Sequence, residues 1–185
     1  MLMRIFFDTE FTGLHQNTTL ISIGMISEDG KKFYAELSDY DRSQVNDWIN
    51  KNVLAHRWCL SGRFERDIPS YYFYGDSKQI ANELGKYLMQ FDKVELVSDC
   101  AHYDMTLFIN LFGTAFDIPN NVCPACYDIN QDIAYFHEVD GHAAFDINRE
   151  EILKTNNIEI KGKKHNALYD AEVIKALYEI VSKRR

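Results

Sequence analysis

FFDTEFTGL, residues 6–14, closes an apolar run that starts at Met3-Arg4-Ile5 and sets two carboxylates, Asp8 and Glu10, one residue apart. Side chains alternate across a strand, so Asp8 and Glu10 share one face while Thr9 turns to the other. At about 4 Å and an effective dielectric near 20, two such charges repel by roughly 4 kcal/mol. The pair is stable only where one carboxyl keeps its proton or a cation sits between the two. A strand ending this way is expected to sit inside the fold and to carry its chemistry.

The runs on either side of this strand define the architecture. TTLISIGMIS (18–27) and KKFYAEL (31–37) are β-rich and are joined by Glu28-Asp29-Gly30, whose Asp-Gly step is a hairpin signal. Together with the first strand they predict a three-stranded antiparallel meander. Helical spacing follows over 43–54 and, more regularly, over 76–91, where Ile80, Leu84, Tyr87, Leu88 and Phe91 share a face behind an Asp76 or Ser77 cap. KVELVSD (93–99) reads as a short buried strand, YDMTLFINLFG (103–113) as a helix stopped by Gly113, and VCPACYDI (122–129) as another strand. Leu168, Ala171, Ile174, Tyr178 and Val181 make a last helical stripe running toward the Lys-Arg-Arg tail. A meander followed by alternating helices and strands predicts an α/β protein. Its sheet is mixed and five-stranded, antiparallel first and then parallel, with helices on both faces.

A chain of 185 residues with 46% apolar content can bury roughly 70% of its unfolded surface, so one domain is expected over 1–185. No apolar run nears the ~20 residues of a membrane span, and the N-terminus lacks the apolar core of a signal peptide, so a cytoplasmic location is expected. Cys59, Cys100, Cys123 and Cys126 then read as reduced thiols. Cys123-Pro-Ala-Cys126 lacks the second ligand pair of a closed zinc site and reads as structural rather than zinc-binding or redox-active, its role left open. A net charge of −8 speaks against nonspecific coating of nucleic acid but not against an enzyme that grips a few phosphates through cations.

Two more acids fall at element junctions: Asp104, where a strand gives way to a helix, and Asp170, in the first turns of the last helix. Each alone has a plain structural explanation, as a helix N-terminal acid or a solvated face residue. HNALYDAEVI (165–174) alters the balance, because His165 precedes Asp170 by five residues with small apolar residues packed around both. DTEFTG, AHYD and HNALYDA, in this order, resemble the three motifs of the DEDDh-type 3′–5′ exonuclease superfamily, which includes ribonuclease T, oligoribonuclease and proofreading exonucleases. The resemblance spans about residues 3–180, and CYDINQ (126–131) is similar to a compact bacterial and phage exoribonuclease-like group.

The resemblance implies a ribonuclease H-like fold and two divalent cations, Mg²⁺ or Mn²⁺, held by Asp8, Glu10, Asp104 and Asp170. It implies His165 as the general base toward the attacking water. It assigns the 3′-terminal nucleotide to Thr9, Phe11 and the backbone around Thr12, Gly13 and Leu14, with core packing an alternative for Phe11. The expected partner is the 3′ end of single-stranded RNA or DNA, RNA being favoured, and a homodimer is allowed. A 3′–5′ exodeoxyribonuclease and an inactive nucleic-acid-binding domain are the competing readings. The chain departs from the family where related enzymes carry His-Asn before the second motif and this one carries Asp99-Cys100. Phe11 also stands where Thr is common. Lys161, Lys163 and Lys164 precede His165 and are candidates for phosphate contacts, against a solvated loop. Arg57, Arg63 and Arg66 before Tyr71, Tyr72, Phe73 and Tyr74 suggest a second track with stacking platforms, against core burial. His15, His56, His102, His137 and His142 read as surface or structural residues.

Overall fold

The computed structural model describes residues 1–61 and 69–182. Strand β1 (Leu2–Phe11) pairs antiparallel with β2 (Leu20–Ser27) along almost its whole length, from Ile5 opposite Ser27 to Phe11 opposite Leu20. Its other edge pairs in parallel with β5 (Lys93–Ser98) and stops at Phe6 opposite Val97. The last residues of β1 therefore overhang β5. This overhang is where Asp8 and Glu10 lie.

Strand β3 (Lys32–Leu37) completes the meander, turned at Gly30 in the left-handed region (φ 88°) that Asp-Gly favours. Beyond it, β4 (Tyr71–Gly75) adds in parallel, and β6 (Val122–Asp128) adds in parallel to β5 on the far side. The order is β4-β3-β2-β1-β5-β6. The sheet has six strands and not the expected five, because the aromatic run at 71–74 is an edge strand. Phe73 packs on Phe33 and Tyr71 on Tyr87, while Tyr72 stacks on Tyr34; Tyr74 is exposed. Packing on the sheet and its helices accounts for Tyr71, Tyr72 and Phe73.

Helix α3 (Ser77–Leu88) begins with a capping box between Asp76 and Gln79, and α4 (Ala101–Phe112) ends at Gly113 with φ 111°. Both cover one face of the sheet, burying Ile5, Phe7, Leu84, Leu96 and Phe108 together. Helix α8 (Ala167–Val181) covers the other with Phe6, Val97, Ile174 and Leu177. The expected helix over 43–54 is broken: Asn46 caps α1 (Asp47–Asn52), with 3₁₀ turns at Arg42–Gln44 and Leu54–His56. A short α2 (Trp58–Ser61) follows. Between β6 and α8 lie three helices that the sequence pattern did not predict, α5 (Asn130–His137), α6 (Gly141–Asp146) and α7 (Arg149–Thr155). No helix among the described residues is long and apolar enough to cross a membrane. The four cysteines are free thiols, and burial pushes Cys59, Cys100 and Cys126 up to about 12.

Candidate active site

The β1 overhang leaves backbone donors without a β5 partner, and buried donors must be satisfied. Asp104, in the first turn of α4 and almost wholly buried, fills that role: its Oδ1 accepts from Thr9 N at 3.1 Å and Thr9 Oγ1 at 2.5 Å. Its other oxygen accepts from Ser98 Oγ at the end of β5. Thr9 thus turns its hydroxyl onto Asp104, on the face opposite Asp8 and Glu10. One carboxylate ties β1, β5 and α4 together where β1 runs past the end of β5.

On the other face, α8 sits unusually close to β2. A Cβ on Gly24 would lie 2.2 Å from Leu168 N, so only glycine lets the first turn of α8 reach the sheet there. Gly24 is paired with Asp8 in the β1–β2 ladder, and this contact brings Asp170 over β1. His165 takes a left-handed backbone (φ 64°) and donates its N–H to Asp170 Oδ2 at 2.7 Å. Side chains rarely tolerate that conformation, so the turn is held by its contacts. Asn166 caps α8 through Tyr169 N and donates to Tyr34 Oη and the His56 carbonyl. The imidazole has Nδ1 3.8 Å from Glu10 Oε1 and makes a T-shaped contact with Trp48, ring centres 5.1 Å apart.

Asp8, Glu10, Asp104, Asp170 and His165, drawn from both ends and the middle of the sequence, line one cavity of about 920 Å³. Ligand atoms of Glu10, His165 and Asp170 lie within 4.8 Å of one another, as do those of Asp8, Asp99 and Asp104. Burial and mutual repulsion raise Asp8 and Glu10 well above the usual carboxylate range. Burial pushes Asp104 up to about 7, against its hydrogen bonds from Ser98 and Thr9, and Asp170 up to about 8, against the His165 N–H. His165 moves the other way, lowered by burial and by the charges of Lys164 and His56. Asp8 Oδ2 is buried without a hydrogen-bond partner among the described residues. An orphaned oxygen among crowded carboxylates fits a hard divalent cation, which takes oxygen ligands. The residues present can hold such cations.

The other expected contacts divide. Phe11, Gly13 and Leu14 line the cavity; Phe11 stacks on Tyr103 with ring centres 5.1 Å apart, and Leu14 is exposed. Thr12 is buried beneath them, bonded to Thr18, Thr19 and Gln44. Lys164 lines the cavity and lowers the Glu10 and Asp170 carboxyls. Lys161 borders a separate groove with Lys32 and Lys175, and Lys163 is outside the cavity wall. Arg57 is no phosphate ligand: it is buried, its Nε 3.2 Å from the fully buried Glu36 carboxylate. Arg63 and Arg66 lie outside the described residues. The sequence reading missed Trp48, Asp99 and the wall from Phe145 to Glu150, of which only the Asp99-Cys100 departure had given a signal.

Comparison with known proteins agrees with this geometry. The 3′–5′ exoribonuclease Rv2179c of Mycobacterium tuberculosis is 29% identical over 122 residues, covering 65% of this chain and 67% of the relative. The nuclease domain of 3′hExo, described as a DEDDh family member bound to rAMP, superposes with a TM-score of 0.68 at 15% identity, over 98% of this chain and 92% of that one. Pop2p of S. pombe in its Mg²⁺- and Mn²⁺-bound form gives 0.63 at 13% identity, over 98% and 83%. The profile of the Rv2179c-like 3′–5′ exoribonuclease domain matches residues 3–181. The chain belongs to this Rv2179c-like 3′–5′ exoribonuclease domain family.

Proposed function

We propose that this chain hydrolyses single-stranded RNA from its 3′ end to nucleoside 5′-monophosphates, using two divalent cations, Mg²⁺ or Mn²⁺, and His165 as general base. The observation that carries this reading is the convergence of four acids, Glu10 and Asp104 buried and Asp8 and Asp170 half-buried, and one histidine on a single cavity, from three distant segments. The name of the mycobacterial relative supports RNA as substrate, and the Mg²⁺ and Mn²⁺ of Pop2p support the choice of cation.

Asp8, Glu10 and Asp170 would hold one cation, and Asp8 with Asp104 the other. When bound, such ions supply Lewis-acid stabilisation of an in-line phosphoryl displacement and lower the pKa of water. The protein's own residues do the rest. His165 is biased toward neutral imidazole by burial and by Lys164 and His56, so it can accept the proton of the attacking water. Its backbone bond to Asp170 and the T-shaped contact with Trp48 fix the ring over Glu10. Phe11, Leu14 and Trp48 offer an apolar wall for the terminal base and sugar, and Lys164 places a positive charge at the cavity for a phosphate.

The reading is tested with 5′-labelled single-stranded RNA, an oligonucleotide of matched DNA sequence, Mg²⁺ or EDTA, and purified protein. A ladder shortening one nucleotide at a time, with 5′-monophosphates as products and faster on RNA, is expected. Internal cuts or cleavage in EDTA would refute it.

A further inference from the structure

Asp99 is not among the four motif acids, yet its carboxylate stands in their cluster. One of its oxygens lies within 4.8 Å of ligand oxygens of both Asp8 and Asp104. It follows the last residue of β5 and precedes α4, at the position where the chain departs from the His-Asn of related enzymes.

The side chain is braced from behind. Arg149 Nε sits 3.5 Å from Asp99 Oδ2, and Asn130 Nδ2 donates to the Asp99 carbonyl at 2.6 Å. Arg149 is itself anchored: Nη1 donates to the carbonyls of Ala144 at 2.6 Å and Ile147 at 3.0 Å, and Nη2 to Asn130 Oδ1 at 2.6 Å. Helices α5, α6 and α7 thus converge on one guanidinium that holds one carboxylate at the cavity wall. If the pair served only to join helices, nothing would favour placing Asp99 beside two like charges, each repelling it by roughly 3–4 kcal/mol at an effective dielectric near 20. Asp8, in the same set, also keeps a buried oxygen without a partner among the described residues. Both features are accounted for by a cation shared among the three.

We infer that Asp99 is a fifth carboxylate of the catalytic cluster, ligating a divalent cation together with Asp8 and Asp104, and that Arg149 is its positioning residue. The inference rests on the two-cation reading above. It adds a protein ligand on the Asp104 side of the cluster and gives the unpredicted helices α5 to α7 a function.

The test counts bound Mn²⁺ from the electron paramagnetic resonance of the free ion, with adenosine 5′-monophosphate present. It compares wild type, Asp99→Asn, Arg149→Lys and Glu150→Gln. Asparagine keeps the shape of Asp99 and an acceptor for Arg149. Glu150→Gln removes a charge from the same cavity wall without removing a cluster oxygen. Wild type is expected to bind two ions, with Asp99→Asn leaving one affinity unchanged and weakening the other at least ~10-fold. Arg149→Lys should weaken that same ion, and Glu150→Gln neither. Two unchanged affinities in Asp99→Asn would overturn the inference while leaving the two-cation reading intact, and an equal loss in Glu150→Gln would overturn it in favour of a general field effect. An unchanged weaker site in Arg149→Lys would remove the positioning role. Fewer than two ions on wild type would overturn the two-cation reading and this inference together.

Discussion

Replacing Asp8 with Asn should stabilise the protein without metal and destabilise it, relative to wild type, with metal. Asp8 carries a buried oxygen that has no hydrogen-bond partner among the described residues, and its ligand atom lies within 4.8 Å of those of Asp99 and Asp104. At that distance and an effective dielectric near 20, each fully charged neighbour repels it by roughly 3.5 kcal/mol. The raised carboxyl pKa values mean that the cluster carries only part of that charge near neutral pH, so about 1–3 kcal/mol is released on removing Asp8. In a chain of 185 residues this is a rise of about 2–10 °C in melting temperature in EDTA. Excess Mg²⁺ reverses the order, because an ion at 100 times its Kd stabilises the native state by about 2.7 kcal/mol and the variant has lost the ligand common to both proposed sites. Scanning calorimetry of both proteins, in EDTA and in Mg²⁺, measures the crossing. A lower melting temperature for Asp8→Asn in EDTA would show that Asp8 is a structural residue and refute the reasoning.

The same electrostatics set the pH dependence. Asp104 and Asp170 titrate at about 7 and about 8 in the native state, above the roughly 3.9 of an unfolded Asp, so their protonation favours folding. That stability is complete below pH ~4 and is lost progressively until pH passes the native values of about 7 and about 8; melting temperature in EDTA should fall from about pH 5 to about pH 8 and level off above, and excess Mg²⁺ should flatten the fall. His165→Ala should lower turnover by on the order of 10²-fold while Mn²⁺ binding persists, and calorimetry that found no bound metal would make His165 a ligand instead of a base. Gly24→Ala drives a methyl into the first turn of α8, whose Leu168 N would be 2.2 Å away. It should cost about 1–3 kcal/mol and at least ~10-fold in activity by displacing His165 and Asp170, an effect that unchanged kinetics would disprove.

Much of this molecule was legible in residues whose meaning is local. The alternation at Asp8 and Glu10, the Asp-Gly hairpin and the Asp76 cap each follow from one strand or turn. The His165–Asp170 pair follows from one helix start. What escaped depends on partners distant in sequence. Strand β4 pairs in parallel with β3 across nearly 40 residues, and its four successive aromatics carry no period-2 alternation because both faces are partly covered. Arg57 reads as a surface cation until its buried Glu36 partner is seen. Helices α5 to α7 are short, each giving the core only one or two buried apolar residues (Ile133, Ala144, Ile152 and Leu153), too few to write a periodic stripe, and the Arg149 network joins them. Lys161 and Lys164 are three residues apart, yet with the left-handed backbone of Gly162 between them they border different surfaces.

That the clustered acids exist to hold divalent cations can be seen by anomalous diffraction from crystals grown with Mn²⁺. Two manganese peaks inside the cavity are expected, both bounded by Asp8, one also by Glu10 and Asp170 and the other by Asp104. A cavity empty of manganese at millimolar concentration, or peaks confined to the protein surface, would contradict the proposed chemistry.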